Sequence, residues 1–407
     1  MKNNILLATI CFFLIFSACK KEETKTEPTA FVTTQFDCVA GSGAQELIVN
    51  GDPYNTYTPN GYIPFNGYAD PCIRKDPNAN SLWLAYSFPH IKQAGSNNVP
   101  SVAIHLAKSE DLGNTWTFVK NLFEPINMNN PANTNQAGYL DHEVINFLPI
   151  ANGTNTDWYA VRLNYFVPSI GGFAARPNSS FYISIVKSSS PDNLDNGLVG
   201  TIGGNLTHAA WKVNARLVPP DLTAEYFFWN EPALYYEASN GKLYLTMVAF
   251  VYNGSTAVMN KNNVYVYETT PNGNPDSWAW QLQGTLIDST IAKELEGERI
   301  SQVELTKGTD GKLLLVCSPD DWNASKTDFN HKGCKVLEVK SLQNPSLERG
   351  TDGKLKVRTI ITASDANDLG SAASSYDPSS VTGILFTKRI KDATQFTTSI
   401  WKTKLKP

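Results

Sequence analysis

Three acidic residues each lead an apolar strand, and a turn and a second apolar strand follow each of them. They are Asp70 in YADPCIRKD, Asp141 in YLDHEVINF and Glu231 in WNEPALYYE. Carboxyl side chains are the protein's ordinary proton donors and acceptors. Brought together in one hollow, they form a general acid–base set. An Asp or Glu before Pro also makes a simple turn, and Asp377-Pro378 shows that pattern with no chemical role asked of it. Around the three acids stand further candidates for contact with a substrate. His142 and Glu143 alternate behind Asp141, so one of them faces inward, and Glu143 is an alternative to Asp141 as the functional acid. Tyr226, Phe228 and Trp229 precede Glu231, and Arg299 precedes a later strand. Aromatic residues there either stack on a ring or fill the core.

The elements that must position these residues are strands. No long stretch carries a helical period, and short Val/Ile/Tyr/Phe/Thr/Trp-rich runs alternate with Asn/Gly/Asp/Pro turns. Four successive units read as four strands each. The first is DPCIRKD, SLWLAYSF, SVAIHLAKSED and TWTFVKNLF; the second is DHEVINFLPI, WYAVRLNYF, FYISIVKSS and AWKVNARLV. The third runs from EPALYYEA to WAWQLQGTLI and the fourth from ISQVELTKG to LKVRTIIT. A fifth, from Tyr376, is a strand short, and FVTTQFDCV or ELIV near the N-terminus is placed to complete it. Units of about 70 to 90 residues, each one four-stranded sheet, predict an all-β chain folded as a β-propeller of five blades. A six-bladed, sialidase-like ring is the alternative.

Ser109-Glu110-Asp111-Leu112-Gly113-Asn114-Thr115-Trp116 resembles the Asp-box of sialidase-type propellers. In such a turn Asp111 accepts backbone N–H bonds, Gly113 takes the positive-φ position and Trp116 packs between blades. The order Asp, Asp, Glu on blades 1 to 3 resembles the five-bladed propeller glycosidases of the arabinanase and β-xylosidase clan. The resemblance rests on Ala69-Asp70-Pro71, Leu140-Asp141-His142-Glu143-Val144 and Asn230-Glu231-Pro232. The second motif has His142 where the clan has Pro, and the third lacks the glycine often found between Glu and Pro. What the resemblance implies is Asp70 as general base, Asp141 as modulator of the acid's pKa and Glu231 as general acid. Inverting cleavage of a glycosidic bond would hold acid and base roughly 6.5–9.5 Å apart. No organic cofactor is implied; a structural Ca²⁺ in the central channel is allowed by the resemblance, although no metal-ligand spacing occurs in the sequence.

The alternatives are a non-catalytic glycan-binding or scaffold propeller, a sialidase, which needs arginines such as Arg74 and Arg299, and a propeller lyase built on His142, Tyr139 and Arg299.

The N-terminus reads as a targeting segment. Lys2, the apolar run Ile5 to Phe16 and Ser17-Ala18-Cys19 resemble a bacterial lipoprotein signal over residues 1–18, with Cys19 as the lipidated residue. Residues 19–30 are charged and read as a tether, leaving 31–407 as one propeller domain. Lys20-Lys21-Glu22-Glu23 resembles the surface-export signal of Bacteroidota lipoproteins, so the expected location is the outer membrane, facing the cell surface of a Gram-negative bacterium. Of the remaining cysteines, Cys317 with Cys334 and Cys38 with Cys72 are the expected disulfides. The 407 residues carry a formal charge of −4, with 18% charged and 11% aromatic residues. That leaves no basic footprint for nucleic acid and fits a carbohydrate partner.

Overall fold

A computed structural model describes residues 32–37, 43–52, 65–94, 97–170, 180–206, 211–212, 214, 217–223, 225–254, 256–323, 328–362, 368–391 and 396–407. The chain divides into Met1–Val32, of which only Val32 is described, and Thr33–Pro407. The signal segment, the tether and Cys19 therefore lie outside the described residues, as does Cys38.

Thr33–Pro407 is a five-bladed β-propeller. Five separate sheets are present, and the first strand of each packs on the first strands of its two neighbours in a closed cycle. These inner strands are Ala69–Lys75, Asn133–Asn152, Tyr226–Glu237, Arg299–Lys307 and Asp368–Ser375, for blades 1 to 5. Their neighbours follow by antiparallel hairpins, as period-2 apolar runs joined by short polar turns require. Apolar faces of adjacent blades interlock. Cys72, Ile104, Phe123, Ile145, Phe147 and Trp158 fill the space between blades 1 and 2, while Tyr165, Trp229, Tyr265 and Tyr267 belong to the larger core beyond blade 2.

Two strands differ from expectation. The fourth strand of blade 2 is Leu198–Gly204, not the apolar run near Trp211, which follows it. The inner strand of blade 5 is Asp368–Ser375, ahead of Tyr376. Its Ser and Ala content hides it from a search for apolar runs, yet Ser374 and Ser375 are fully buried. Asp377 closes that strand: Oδ2 accepts the Lys75 N–H of blade 1 at 2.8 Å, and Oδ1 accepts the Ser379 N–H at 2.8 Å.

The ends of the chain close the ring. Gln45–Glu46 and Phe65–Gly67 both pair with Phe396–Lys402 of blade 5. Thr34–Asp37 adds a parallel edge strand to blade 4, and Val49–Asn50 does the same for blade 1. The N-terminal segment thus covers three outer edges that would otherwise expose unpaired backbone groups.

The turn from Ser109 to Trp116 has the expected geometry. Asp111 accepts from the Thr115 N–H (2.9 Å), the Thr115 hydroxyl (2.8 Å) and the Ser109 hydroxyl (2.7 Å). These bonds hold its carboxyl down at about 2. Gly113 has φ +103°, and Trp116 is buried among residues of blades 1 and 5.

The expected disulfides are not formed at the described cysteines. Cys72 and Cys317 are free thiols, and Cys334, buried like them, is not bonded to Cys317. Cys317 pairs in register with Lys335, so Cys334 is one residue out of step and faces the opposite side of the sheet. The two belong to different core clusters. Cys72 accepts the Phe147 N–H at 3.4 Å between blades 1 and 2, and burial pushes its thiol up to about 12.

Candidate active site

The inner strands of blades 1, 2, 3 and 5 are interrupted at one corresponding place. In blade 1, Ala69 pairs with Ser87 and Cys72 with Ala85, which leaves Asp70-Pro71 outside the ladder. In blade 2, Glu143 pairs with Leu163 and Asn146 with Val161, leaving Val144-Ile145. In blade 3, Asn230 pairs with Val248 and Ala233 with Thr246, leaving Glu231-Pro232. Blade 5 leaves out Ala373-Ser374, and blade 4 has a shorter irregularity at Ser301. The first residue of each two-residue bulge is left-handed: φ is +49° at Asp70, +51° at Val144, +46° at Glu231 and +46° at Ala373. Glycine ordinarily takes such a position, because a Cβ there costs energy. A bulge turns its side chain out of the strand's alternation. Pro71 and Pro232 fit the second position, where no N–H is needed for the ladder.

Asp70 and Glu231 therefore hold equivalent places on blades 1 and 3. Asp141 does not share them. It lies three residues ahead of Val144, the residue that occupies the blade-2 position. The register expected from the Leu140-Asp141-His142 motif is thus corrected by the bulge. Asp141 is fully buried, accepting the Ser101 hydroxyl at 2.6 Å and the Val102 N–H at 2.9 Å from the long hairpin of blade 1. Burial raises its carboxyl to about 8 and outweighs both hydrogen bonds, which favour the anion.

A small hollow lies beside the bulges, about 230 Å³ of space that includes part open to solvent. It is lined by Asp70 and Pro71 of blade 1, Val144 to Asn146 of blade 2, Pro232 of blade 3, and Gln302 to Glu304 of blade 4. Asp70 is half-buried. Glu231 is 8% exposed, with Oε1 accepting from Asn230 Nδ2 at 3.3 Å. Above this level the walls are uneven. The blade-2 inner strand begins at Asn133, well ahead of its bulge, and pairs there with Ile126–Asn130. The polar stretch Asn127 to Gln136 lies in this hairpin.

The floor is a polar knot that the sequence alone does not reveal. Glu304 Oε1 accepts from Arg74 Nη1 (3.1 Å), the Ser375 hydroxyl (2.9 Å) and the Tyr376 N–H (3.2 Å). Its Oε2 accepts from Asn146 Nδ2 at 3.4 Å, and Asn146 Oδ1 accepts the Leu234 N–H at 2.9 Å. All five inner strands meet in these contacts. Burial raises the Glu304 carboxyl even against the neighbouring Arg74 cation. The only signal in the sequence is a charged residue set between Val303 and Leu305.

The remaining predicted residues are dispersed. His142 is buried with Nδ1 2.9 Å from Asn164 Oδ1, and burial with the nearby Arg162 cation holds its pKa well below the usual histidine range. Glu143 is half-buried just before the bulge. Trp229 is 4% exposed and set edge-on to Phe227, Tyr265 and Tyr267, so it is core and not a sugar platform. The Tyr226 side chain lies outside the described residues. Arg299 is fully buried: Nε and Nη2 donate to Asp320 Oδ2 at 2.8 and 2.7 Å, and its guanidinium covers Phe250 at 4.3 Å. Arg74 and Arg299 are thus paired to different carboxylates, and His142, Tyr139 and Arg299 do not converge. Among the described residues no group of three or more His, Cys, Asp or Glu is placed to hold a metal ion.

No family model matches the chain, and no curated protein matches it. Similar solved structures are propeller glycoside hydrolases. Zg3597, a family 117 glycoside hydrolase from the marine bacterium Zobellia galactanivorans, is 11% identical with a TM-score of 0.46; the match covers 89% of this chain and 92% of that one. An endo-1,5-α-L-arabinanase from Thermotoga petrophila is 15% identical with a TM-score of 0.40, covering 84% and 71%. A GH32 β-fructofuranosidase from Bombyx mori is 11% identical with a TM-score of 0.44, covering 83% and 60%. At such identities and scores the likeness carries nothing about activity.

Proposed function

We propose that this protein is a glycoside hydrolase in which Asp70 is the general base and Glu231 the general acid. The observation that supports this reading is their equivalence: two carboxylates at left-handed bulges of blades 1 and 3, with Asp70 on the central hollow. Non-glycine residues in this strained conformation cluster at functional sites. Acid and base on different blades suit a reaction that admits a water between them. Asp141 acts in this reading through the blade-1 hairpin that it anchors, and not on the sugar. The substrate is a glycan outside the cell, reached from a lipid anchor at Cys19; the Ser17-Ala18-Cys19 segment supports that part.

One observation favours a second reading, a glycan-binding propeller without catalysis. The blade-2 position holds Val144, so no third carboxylate stands level with the other two. Hydrolysis of a panel of aryl glycosides and of plant and algal polysaccharides separates the two readings. New reducing ends from one glycan, absent with Glu231→Gln, support the hydrolase. Retention of a glycan without cleavage supports the binding protein.

A further inference from the structure

Among the described residues, Arg162 is a buried cation with no carboxylate in contact. It lies on the second strand of blade 2, Asn155–Pro168, opposite Ser184 of the third strand, Phe181–Ser188. It is 8% exposed. Its guanidinium lies 3.4 Å from the ring centroid of Phe123 in blade 1, and Nε donates to Ser184 Oγ at 3.3 Å. Nη1 is buried with no acceptor among the described residues. Guanidinium does not give up its proton at any ordinary pH. Burial nonetheless lowers its pKa to about 10, a mark of how poorly the charge is compensated.

The neighbours do not supply the missing charge. His142 is held neutral by burial and by Arg162 itself. Asp195, which attracts Arg162 at longer range, is paired with Lys120 at 2.6 Å. Asn164 directs its amide N–H groups to Ser184 Oγ (2.9 Å) and to the carbonyl oxygens of Tyr182 (3.2 Å) and Arg162 (3.4 Å). Ser184 Oγ thus accepts from both Arg162 Nε and Asn164 Nδ2, and its own hydroxyl proton must point elsewhere. The Phe123 ring face offsets only a fraction of the cost of an unpaired buried cation.

We propose that Arg162 and Ser184 form an anion-binding site between blades 1 and 2. It accepts a small monoanion, a halide or a single carboxylate, from Arg162 Nη1 and the Ser184 hydroxyl. Neither residue lines the central hollow. It serves as an electrostatic clasp: the bound anion completes the interface of the two blades.

Thermal unfolding of the protein in sodium fluoride, chloride and formate at matched ionic strength tests this. Chloride or formate raises the midpoint saturably above fluoride, by roughly 2 °C or more at saturation. A response to formate alone marks a carboxylate site, and a response to chloride marks a halide site. Arg162→Met abolishes the difference between salts and is at least as stable as the wild type in fluoride. Should that variant fail to fold, Ser184→Ala shifts half-saturation to several-fold higher anion concentration. Where chloride gives the response, crystals soaked in bromide show an anomalous peak beside Nη1. The same midpoint in all three salts overturns the proposal, as does a response undiminished in both variants.

Discussion

Residues at the start of an inner strand decide what this molecule can do, and a shift of three positions changes the account. Asp141 looks like a partner of Asp70 and Glu231 in the sequence because each leads an apolar run. The ladder puts Val144 in that place instead, and Asp141 goes beneath the blade-1 hairpin. Its titration gives a direct check. The folded carboxyl binds a proton up to about pH 8, the unfolded one only near its ordinary value of 3.8. Between those values folding takes up a proton, so stability falls as pH rises. Asp141→Asn can still accept the Val102 N–H and donate to Ser101. It should flatten that fall, losing stability relative to wild type at pH 5 and recovering it at pH 8.5, in urea unfolding at both pH values. What hid the register from the sequence is the bulge itself, since a two-residue interruption breaks the alternation on which strand reading depends.

Elements that show an apolar alternation were legible. The first and third units, with the fourth, match observed blades strand for strand, and the Ser109 to Trp116 turn folds as its residues require. Strands that violate the pattern were not legible. Leu198–Gly204 is an edge strand with exposed Leu198 and Val199, and Asp368–Ser375 is built from small residues at the crowded axis. The closing segment was seen in outline only, because which edge a short strand joins depends on the whole ring. Gly67 offers a test of that closure. It has φ +129°, and a Cβ there would stand 1.9 Å from the Thr398 carbonyl oxygen of the strand it pairs with. Gly67→Ala should cost more than about 1 kcal/mol and lower the thermal midpoint.

Thr33–Pro407 is a ring of five blades, and a ring of blades needs a tie at its axis. Glu304 supplies it by gathering Arg74, Ser375, Tyr376 and Asn146 below the hollow. Glu304→Gln leaves the Arg74 charge buried without its partner, and a loss of about 3–5 kcal/mol in chemical unfolding is expected. The Cys72 thiol between blades 1 and 2 contributes packing and not a cross-link. The central claim is that the carboxylates at the left-handed bulges of blades 1 and 3 carry the chemistry. Its most direct test compares kcat/KM of Asp70→Asn, Glu231→Gln and Asp141→Asn on whichever glycan the wild type cleaves. The account predicts a fall of about 10²–10⁴-fold for each of the first two, with unchanged thermal midpoints, and less than about tenfold for the third. Full activity in Asp70→Asn or Glu231→Gln, or an equal loss in Asp141→Asn, would contradict it.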